Sequence, residues 1–250
     1  MKKILLIIPA YNEGENIGEV LEKLQKLEIM KEMDILVIDD FSQDNTAEIA
    51  REHGVRVVRQ VFNMGYGAAI QSGYKYALEK GYEYVVQMDA DGQHDVCNVE
   101  QLCEKMGCFQ QDREDKADIV IGSRFLDGAS SFPISVLKKY SILFFRRVIR
   151  KITGCSLTDP TSGLQCLNKK AFSFYAGYNQ FDLKYPDLNM IVQMLLLGFK
   201  IEEIPAVMHE RTAGVSMHSG LWKVGKYMVL MMLSTWNAYS RYRRNAGGKA

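Results

Sequence analysis

Asp89-Ala90-Asp91-Gly92-Gln93-His94 follows directly on the apolar run from Tyr84 to Met88. Two carboxylates two residues apart converge on one hard cation where the chain turns. Asp91 and Gln93 supply oxygen donors suited to Mg²⁺ or Mn²⁺, with positions left open for phosphate oxygens. Such an ion neutralises a leaving diphosphate. His94 is a further donor that an oxygen-rich site does not require. The competing reading is an acidic Asx-type turn; the position at a strand end favours the ligand reading.

Three other polar clusters sit at comparable points. Pro9-Ala10-Tyr11-Asn12-Glu13 closes the first apolar run. There Pro9 stiffens the exit, Tyr11 offers a stacking face and Glu13 an acceptor, groups that a nucleoside uses. The same residues also read as a helix start, with Asn12 as cap and Glu15 near the positive helix end. Asp39-Asp40 ends the second run, and either acid can accept from base N–H or ribose hydroxyls; Ser42 and Asp44 read equally as helix caps. Asn63-Met64-Gly65-Tyr66-Gly67-Ala68-Ala69 offers glycines for close backbone approach at a helix N-terminus, which attracts anions. Ile70 stands where a dinucleotide fingerprint needs its third glycine, which weakens an oxidoreductase reading.

The elements that must position these clusters follow from periodicity. Ile4–Ile8, Ile35–Ile38, Val55–Val58, Tyr84–Met88 and Ile119–Ile121 are short apolar runs. Between them Asn16–Leu27, Thr46–His53 and Tyr66–Lys80 carry helical spacing, and Gly54 and Gly81 follow the last two as stops. This β-α alternation predicts an α/β fold, a mostly parallel sheet covered by helices on both faces. Ligands of such sheets bind at the carboxyl ends of the strands. Beyond it, Ile134–Thr153 is a long amphipathic stretch, Asp159–Gly163 a turn cluster, Asp187–Leu197 a helix, Ile201–Ile204 a strand and Leu221–Tyr239 a last helix.

The 250 residues carry 31 Lys+Arg against 30 Asp+Glu, a net charge of +1 that offers no global footprint for nucleic acid. Five cysteines, an odd number without a C-x-x-C pair, read as reduced structural thiols of a cytoplasmic protein. The apolar run Ile4–Ile8 is shorter than a signal-peptide core of about 7–15 residues. No apolar stretch approaches the ~20 residues that span a bilayer.

Taken in order, P-A-Y-N-E, V-I-D-D-F-S-Q-D, N-M-G-Y-G-A-A, D-A-D-G-Q-H, G-S-R-F (Gly122–Phe125), D-P-T-S-G (Asp159–Gly163) and R-T-A-G-V-S (Arg211–Ser216) resemble the inverting GT-A glycosyltransferases of family 2. Among these the chain is most similar to the dolichyl- and undecaprenyl-phosphate sugar transferases. The resemblance spans about residues 4–217 and implies a GT-A domain over 1–217, followed by an amphipathic helix and basic tail over 218–250. It implies that Pro9, Ala10, Tyr11, Glu13, Asp39 and Asp40 hold the nucleoside and that Ala90 lines the donor pocket. Asp89, Asp91 and Gln93 would bind Mg²⁺ or Mn²⁺ and the diphosphate, and Arg124 and Arg211 would grip phosphates. Asp159, Ser162 and Ser216 would lie near the acceptor, with Asp91, Asp159 and Arg211 the catalytic group. Met217 stands where the family often has Lys, and Lys223 or His218 is a substitute. A Q-x-x-R-W motif and transmembrane helices, marks of processive synthases, are absent, which argues for transfer of a single sugar.

The implied reaction moves one sugar from a nucleoside-diphosphate sugar, UDP-glucose first and GDP-mannose second, to a polyprenyl phosphate. That acceptor is already anionic near pH 7, because its second pKa is about 6. A hydroxyl acceptor on a glycan or protein would need a carboxylate base instead, with Asp159 first and Asp187 behind it. A non-catalytic nucleotide-sugar-binding protein is the alternative outside enzymes. From Ile134 to Thr153 the cations Lys138, Lys139, Arg146, Arg147, Arg150 and Lys151 interleave with apolar residues and no acid. That pattern fits a peripheral segment on an anionic membrane, with Lys138 meeting the acceptor phosphate at the inner face.

Overall fold

The computed structural model describes residues 2–110, 117–130, 136–210, 229–240 and 242, without the side chains of 136–139. Among the described residues seven strands form one sheet: β1 (Ile4–Ala10), β2 (Met33–Asp39), β3 (Arg56–Arg59), β4 (Tyr84–Gln87), β5 (Ile119–Ser123), β6 (Gln165–Asn168) and β7 (Ile201–Pro205). Their order is β3-β2-β1-β4-β6-β5-β7. All pairs are parallel except those of β6, which runs antiparallel between β4 and β5. The expected α/β, mostly parallel architecture is therefore present, with one strand that periodicity did not reveal. β6 is only four residues long and runs straight into a helix, so no breaker announces it.

β1 reads Ile-Leu-Leu-Ile-Ile-Pro-Ala and is buried at every position, as a central strand covered on both faces must be. Ile4, Leu6 and Ile8 face one core and Leu5 and Ile7 the other. The first core is closed by α1 (Ile17–Gln25), α2 (Thr46–Glu52) and α4 (Cys97–Met106). The second is closed by α3 (Tyr66–Lys80), α5 (Val136–Thr153), α6 (Lys169–Ala176) and α7 (Leu188–Leu196). Gly73 lets α3 lie directly on β1: a Cβ there would stand 2.7 Å from two carbons of Ile7. The order of the chain reverses between β1 and β4, and a crevice opens at the carboxyl ends of strands at such a point.

α5 buries Ile142, Phe145 and Ile149 and turns Tyr140, Phe144, Arg147 and Lys151 outward. Arg146 does not belong with the outward cations. It stacks over Phe125 at 4.9 Å and donates from Nε to the Thr158 carbonyl at 2.6 Å. A helix over 229–240 buries Met231, Thr235 and Ala238 and leaves Val229, Leu233 and Trp236 exposed. Ser234 ties it to Asn189 of α7 at 2.7 Å. No helix among the described residues is long and apolar enough to cross a membrane.

Candidate active site

The exits of β1 and β2 are laced together. The Asn12 N–H donates to Ser42 Oγ, Glu13 N–H to Thr46 Oγ1, Gly14 N–H to Asp44 Oδ2 and Gln43 N–H to Asn12 Oδ1, all within 2.8–2.9 Å. Asn12 and Phe41 have φ of 54° and 65°, a left-handed conformation unusual for non-glycine residues and common at ligand clamps. Tyr11 stands half exposed beyond Pro9 and Ala10, while Glu13 Oε2 accepts from Asn16 at 2.7 Å. Asp39 is fully buried; its Oδ1 accepts the Ser42 N–H at 3.0 Å. Its Oδ2 lies 3.1 Å from Arg59 Nε, but out of line for a hydrogen bond.

Asp40 differs from its neighbour. Its two oxygens accept the Met64 and Gly65 N–H groups at 2.8 Å each. The Ala68 N–H donates to the Leu183 carbonyl, and a Cβ on Gly67 would stand 2.4 Å from the Asp182 carbonyl oxygen. The glycine-rich start of α3 is thus filled by the protein's own groups. Gly67 serves chain packing where an anion was expected, and Asp40 holds that turn rather than standing open to a nucleoside.

Past β4, Gly92 (φ 74°) turns the acidic loop. Asp89 Oδ1 accepts from the Tyr66 hydroxyl at 2.9 Å, and Oδ2 faces His94 Nε2 at 3.6 Å. Tyr66 is itself held: Gln87 Nε2 donates to its oxygen at 3.2 Å and to the Gly163 carbonyl at 2.9 Å, and Tyr74 donates to Gln87 Oε1 at 2.7 Å. Burial, then the charge and hydrogen bond of Asp89, push the Tyr66 phenol well above its ordinary range, which keeps it a donor. Burial alone would raise the Asp89 carboxyl; His94, Tyr66 and the charge of Arg124 outweigh it and hold it below its usual value. Asp91 Oδ1 accepts the Gln93 N–H at 3.1 Å, Asp91 and Gln93 are part-exposed, and Ala90 is buried beneath them. The sequence drew attention to the carboxylates and missed Tyr66, Gln87 and Tyr74, whose signal lies only in the fold.

The donor types of this loop are those a hard divalent ion takes. The donors are two carboxylates and an amide, and oxygen sites of one or two carboxylates complete themselves with phosphate and water. The wall beside Asp89 is bare backbone at Gly163, where a Cβ would come within 3.1 Å of Asp89 Oδ2 and 2.9 Å of the Tyr66 hydroxyl.

Asp159, expected beside the acceptor as a base, is fully buried and faces Arg124. Arg124 Nε donates to Oδ2 at 2.6 Å and its terminal nitrogen to Oδ1 at 2.7 Å. The Arg124 guanidinium is engaged by this pair and by Thr161 Oγ1 at 3.0 Å, so it reaches a phosphate only from its remaining edge. Burial would lower its pKa, but Asp159, with Asp187 and Asp89 behind it, raises it above the ordinary value. Glu203 of β7 accepts the Thr158 and Asp159 N–H groups at 2.7 Å each and fixes the whole turn. Ser162 is buried, with its oxygen on the Leu164 N–H at 3.3 Å.

After β7 the chain is stitched to the acidic loop. The Asp95 N–H donates to the Val207 carbonyl, His209 N–H to the Gln93 carbonyl, and Asn98 pairs with both backbone groups of Val207. The chain up to Glu210 therefore runs against the loop that carries Asp91 and Gln93. Arg211, Ser216, Met217, His218 and Lys223 lie outside the described residues, as does the side chain of Lys138.

A family model described as glycosyl transferase family 2 matches residues 5–175. The chain is 32% identical over 235 residues to an undecaprenyl-phosphate mannosyltransferase of Micrococcus luteus, covering 87% of this chain and 88% of that one. It is 29% identical over 242 residues to a polyprenol monophosphomannose synthase of Mycolicibacterium smegmatis, covering 88% and 82%. Among solved structures, glucosyl-3-phosphoglycerate synthase from Mycobacterium tuberculosis superposes with a TM-score of 0.69 at 15% identity, over 96% of this chain and 80% of that one.

Proposed function

The chain belongs to glycosyl transferase family 2, and from that premise we propose that it transfers one hexose from a nucleoside-diphosphate sugar to a polyprenyl phosphate. The observation that carries the donor half is the part-exposed Asp89–Asp91–Gln93 loop at the switch point of the sheet, braced from behind by Tyr66, Gln87 and His94. Tyr11 stacks on the base and Asp39 Oδ2 accepts from it. Asp89, Asp91 and Gln93 hold Mg²⁺ or Mn²⁺, and the ion supplies charge neutralisation of the diphosphate. An oxygen of the acceptor phosphate attacks the anomeric carbon as the bond to the diphosphate breaks, with inversion. The acceptor is anionic at neutral pH, so the protein needs to orient it rather than deprotonate it. The burial of Asp159 against Arg124 supports this reading: the first carboxylate named for a base is not open to an acceptor. Arg211 and Ser216, by the motif, contact phosphate, and Lys138 meets the acceptor.

The acceptor half rests on the relatives, which are named for undecaprenyl phosphate and polyprenol, and on two outward faces. α5 presents Tyr140, Phe144, Arg147 and Lys151, and the helix over 229–240 presents Val229, Leu233 and Trp236. Apolar residues beside cations are the composition of a segment lying on an anionic surface, and each such cation contributes about 1 kcal/mol there. We assign the protein to the inner face of the membrane as a peripheral enzyme.

The test is release of nucleoside diphosphate from UDP-glucose and from GDP-mannose, with Mn²⁺, with and without a short polyprenyl phosphate. Release that requires the lipid phosphate supports the proposal; equal release with glycan alcohols, and none with the lipid, overturns it. Flotation with anionic liposomes checks the surface. Binding should weaken with salt and with Arg147→Glu/Arg150→Glu, a pair that spares the inward Arg146.

A further inference from the structure

Cys103, Cys108 and Cys166 bring three sulfurs together, all within 4.8 Å of one another and all buried. Among the described residues they are the only set of three or more His, Cys, Asp or Glu side chains whose ligand atoms converge in this way. Two come from α4 and the turn that ends it, and the third from the sheet. Cys103 lies on the inner face of α4. Gly107 (φ 71°) reverses the chain after that helix, and the Cys108 N–H returns to the Cys103 carbonyl at 3.0 Å. Cys166 sits at the centre of the sheet, opposite Val86 on β4 and Val120 on β5. The surroundings are the apolar core that holds Val86, Leu102, Met106 and Val120. Cys97 is half-buried and Cys155 exposed, so the convergence is not a property of cysteines in general in this chain.

We propose that Cys103, Cys108 and Cys166 form a closed three-thiolate site for one soft, thiophilic metal cation. Thiolates select such ions over the hard ions that suit the acidic loop. At a metal–sulfur distance of about 2.3 Å, three sulfurs around one ion stand about 4 Å apart, which the 4.8 Å bound on their separations accommodates. A divalent ion entering displaces three S–H protons and leaves a site of net charge −1. The bound ion clamps α4, the helix behind the acidic loop, to β6.

The experiment is anaerobic titration of the untagged, reduced full chain with Cd²⁺, read by the near-ultraviolet sulfur-to-metal charge-transfer band, to which carboxylate-bound Cd²⁺ contributes nothing. One ion per chain is expected, with the band intact in Cys97→Ser/Cys155→Ser and in Asp91→Ala. Cys166→Ser should weaken the band's binding constant by at least about 100-fold. Cys108→Ser, in a turn outside any helix or strand, should do the same and keeps the test decisive if Cys166→Ser does not fold. No band in the wild type, or a band that survives Cys108→Ser unchanged, overturns the proposal.

Discussion

Two acidic pairs stand at strand ends on either side of β1, Asp39-Asp40 at the end of β2 and Asp89-x-Asp91 after β4. They look alike in sequence and differ in what surrounds them. Asp40 is buried, with both oxygens on backbone N–H groups, and Asp39 is buried against Ser42 and Arg59. Asp89 and Asp91 are part-exposed on a turn, and Asp89 is braced by side chains from behind. A carboxylate with both oxygens on backbone N–H groups, as in Asp40, stabilises the fold, because losing it leaves those donors without partners, whereas Asp39 commits only Oδ1 in this way. A part-exposed carboxylate held by a second layer of side chains keeps lone pairs for a ligand.

The comparison breaks most sharply under substitution. Asp91→Ala should lower kcat for sugar transfer by at least 100-fold, roughly 2.7 kcal/mol, while the melting midpoint moves by less than about 4 °C. A folded Asp91→Ala that turns over like wild type would sink the site assignment. Asp40→Ala should do the reverse. The N–H groups of Met64 and Gly65 lose a charged acceptor, and urea unfolding should report a loss of about 3 kcal/mol. An unfolding midpoint equal to wild type would show that Asp40 is not the brace its geometry indicates.

What could be read beforehand follows the range of the physics. β1 to β4 and the helices between them were legible, because apolar runs, Gly54 and Gly81 are local signals. The acidic loop was legible because its order in the chain puts it at a strand end. The division of labour between Asp39 and Asp40 was not, since it depends on Met64, Gly65 and Arg59, which only the fold brings near. The Arg124–Asp159 pair spans 35 residues and rests on Glu203, more than 40 residues further on. No local pattern carries such a pairing, and each partner alone reads as a phosphate grip or a base. β6 was hidden for the same reason: its strand character comes from the neighbours β4 and β5.

Tyr66 sharpens the comparison at smaller scale, because it acts on Asp89 without being an acid. Tyr66→Phe keeps the ring and removes the hydroxyl that donates to Asp89 Oδ1 and accepts from Gln87. Gln87 keeps its bond to the Gly163 carbonyl, so the cost in stability should stay near 1 kcal/mol. Loss of the bracing donor should lower kcat about tenfold, or 1.4 kcal/mol, and raise the Mn²⁺ concentration needed for half-maximal rate. A merely structural tyrosine would leave the Mn²⁺ dependence where it was.

Asp95 tests the boundary between the two kinds of acid, being part-exposed like Asp91 yet engaged like Asp40. Its Oδ1 accepts the Cys97 N–H at 2.9 Å, and its Oδ2 lies 2.7 Å from His209 Nε2. Burial would raise its pKa, but the hydrogen bonds of Cys97 and His209 outweigh it and bring it from 3.8 down to about 2. A folded pKa below the unfolded one means that the unfolded chain binds the proton more readily as acid is added. The stabilisation from Asp95 is therefore complete above about pH 5, falls as pH drops through the unfolded value, and is gone below about pH 2. Between about pH 5 and pH 3 wild type should lose roughly 1 kcal/mol more than Asp95→Asn in urea unfolding. Parallel losses in the two proteins would mean that Asp95 titrates alike folded and unfolded, and that the stitch between the acidic loop and His209 contributes nothing through this carboxylate.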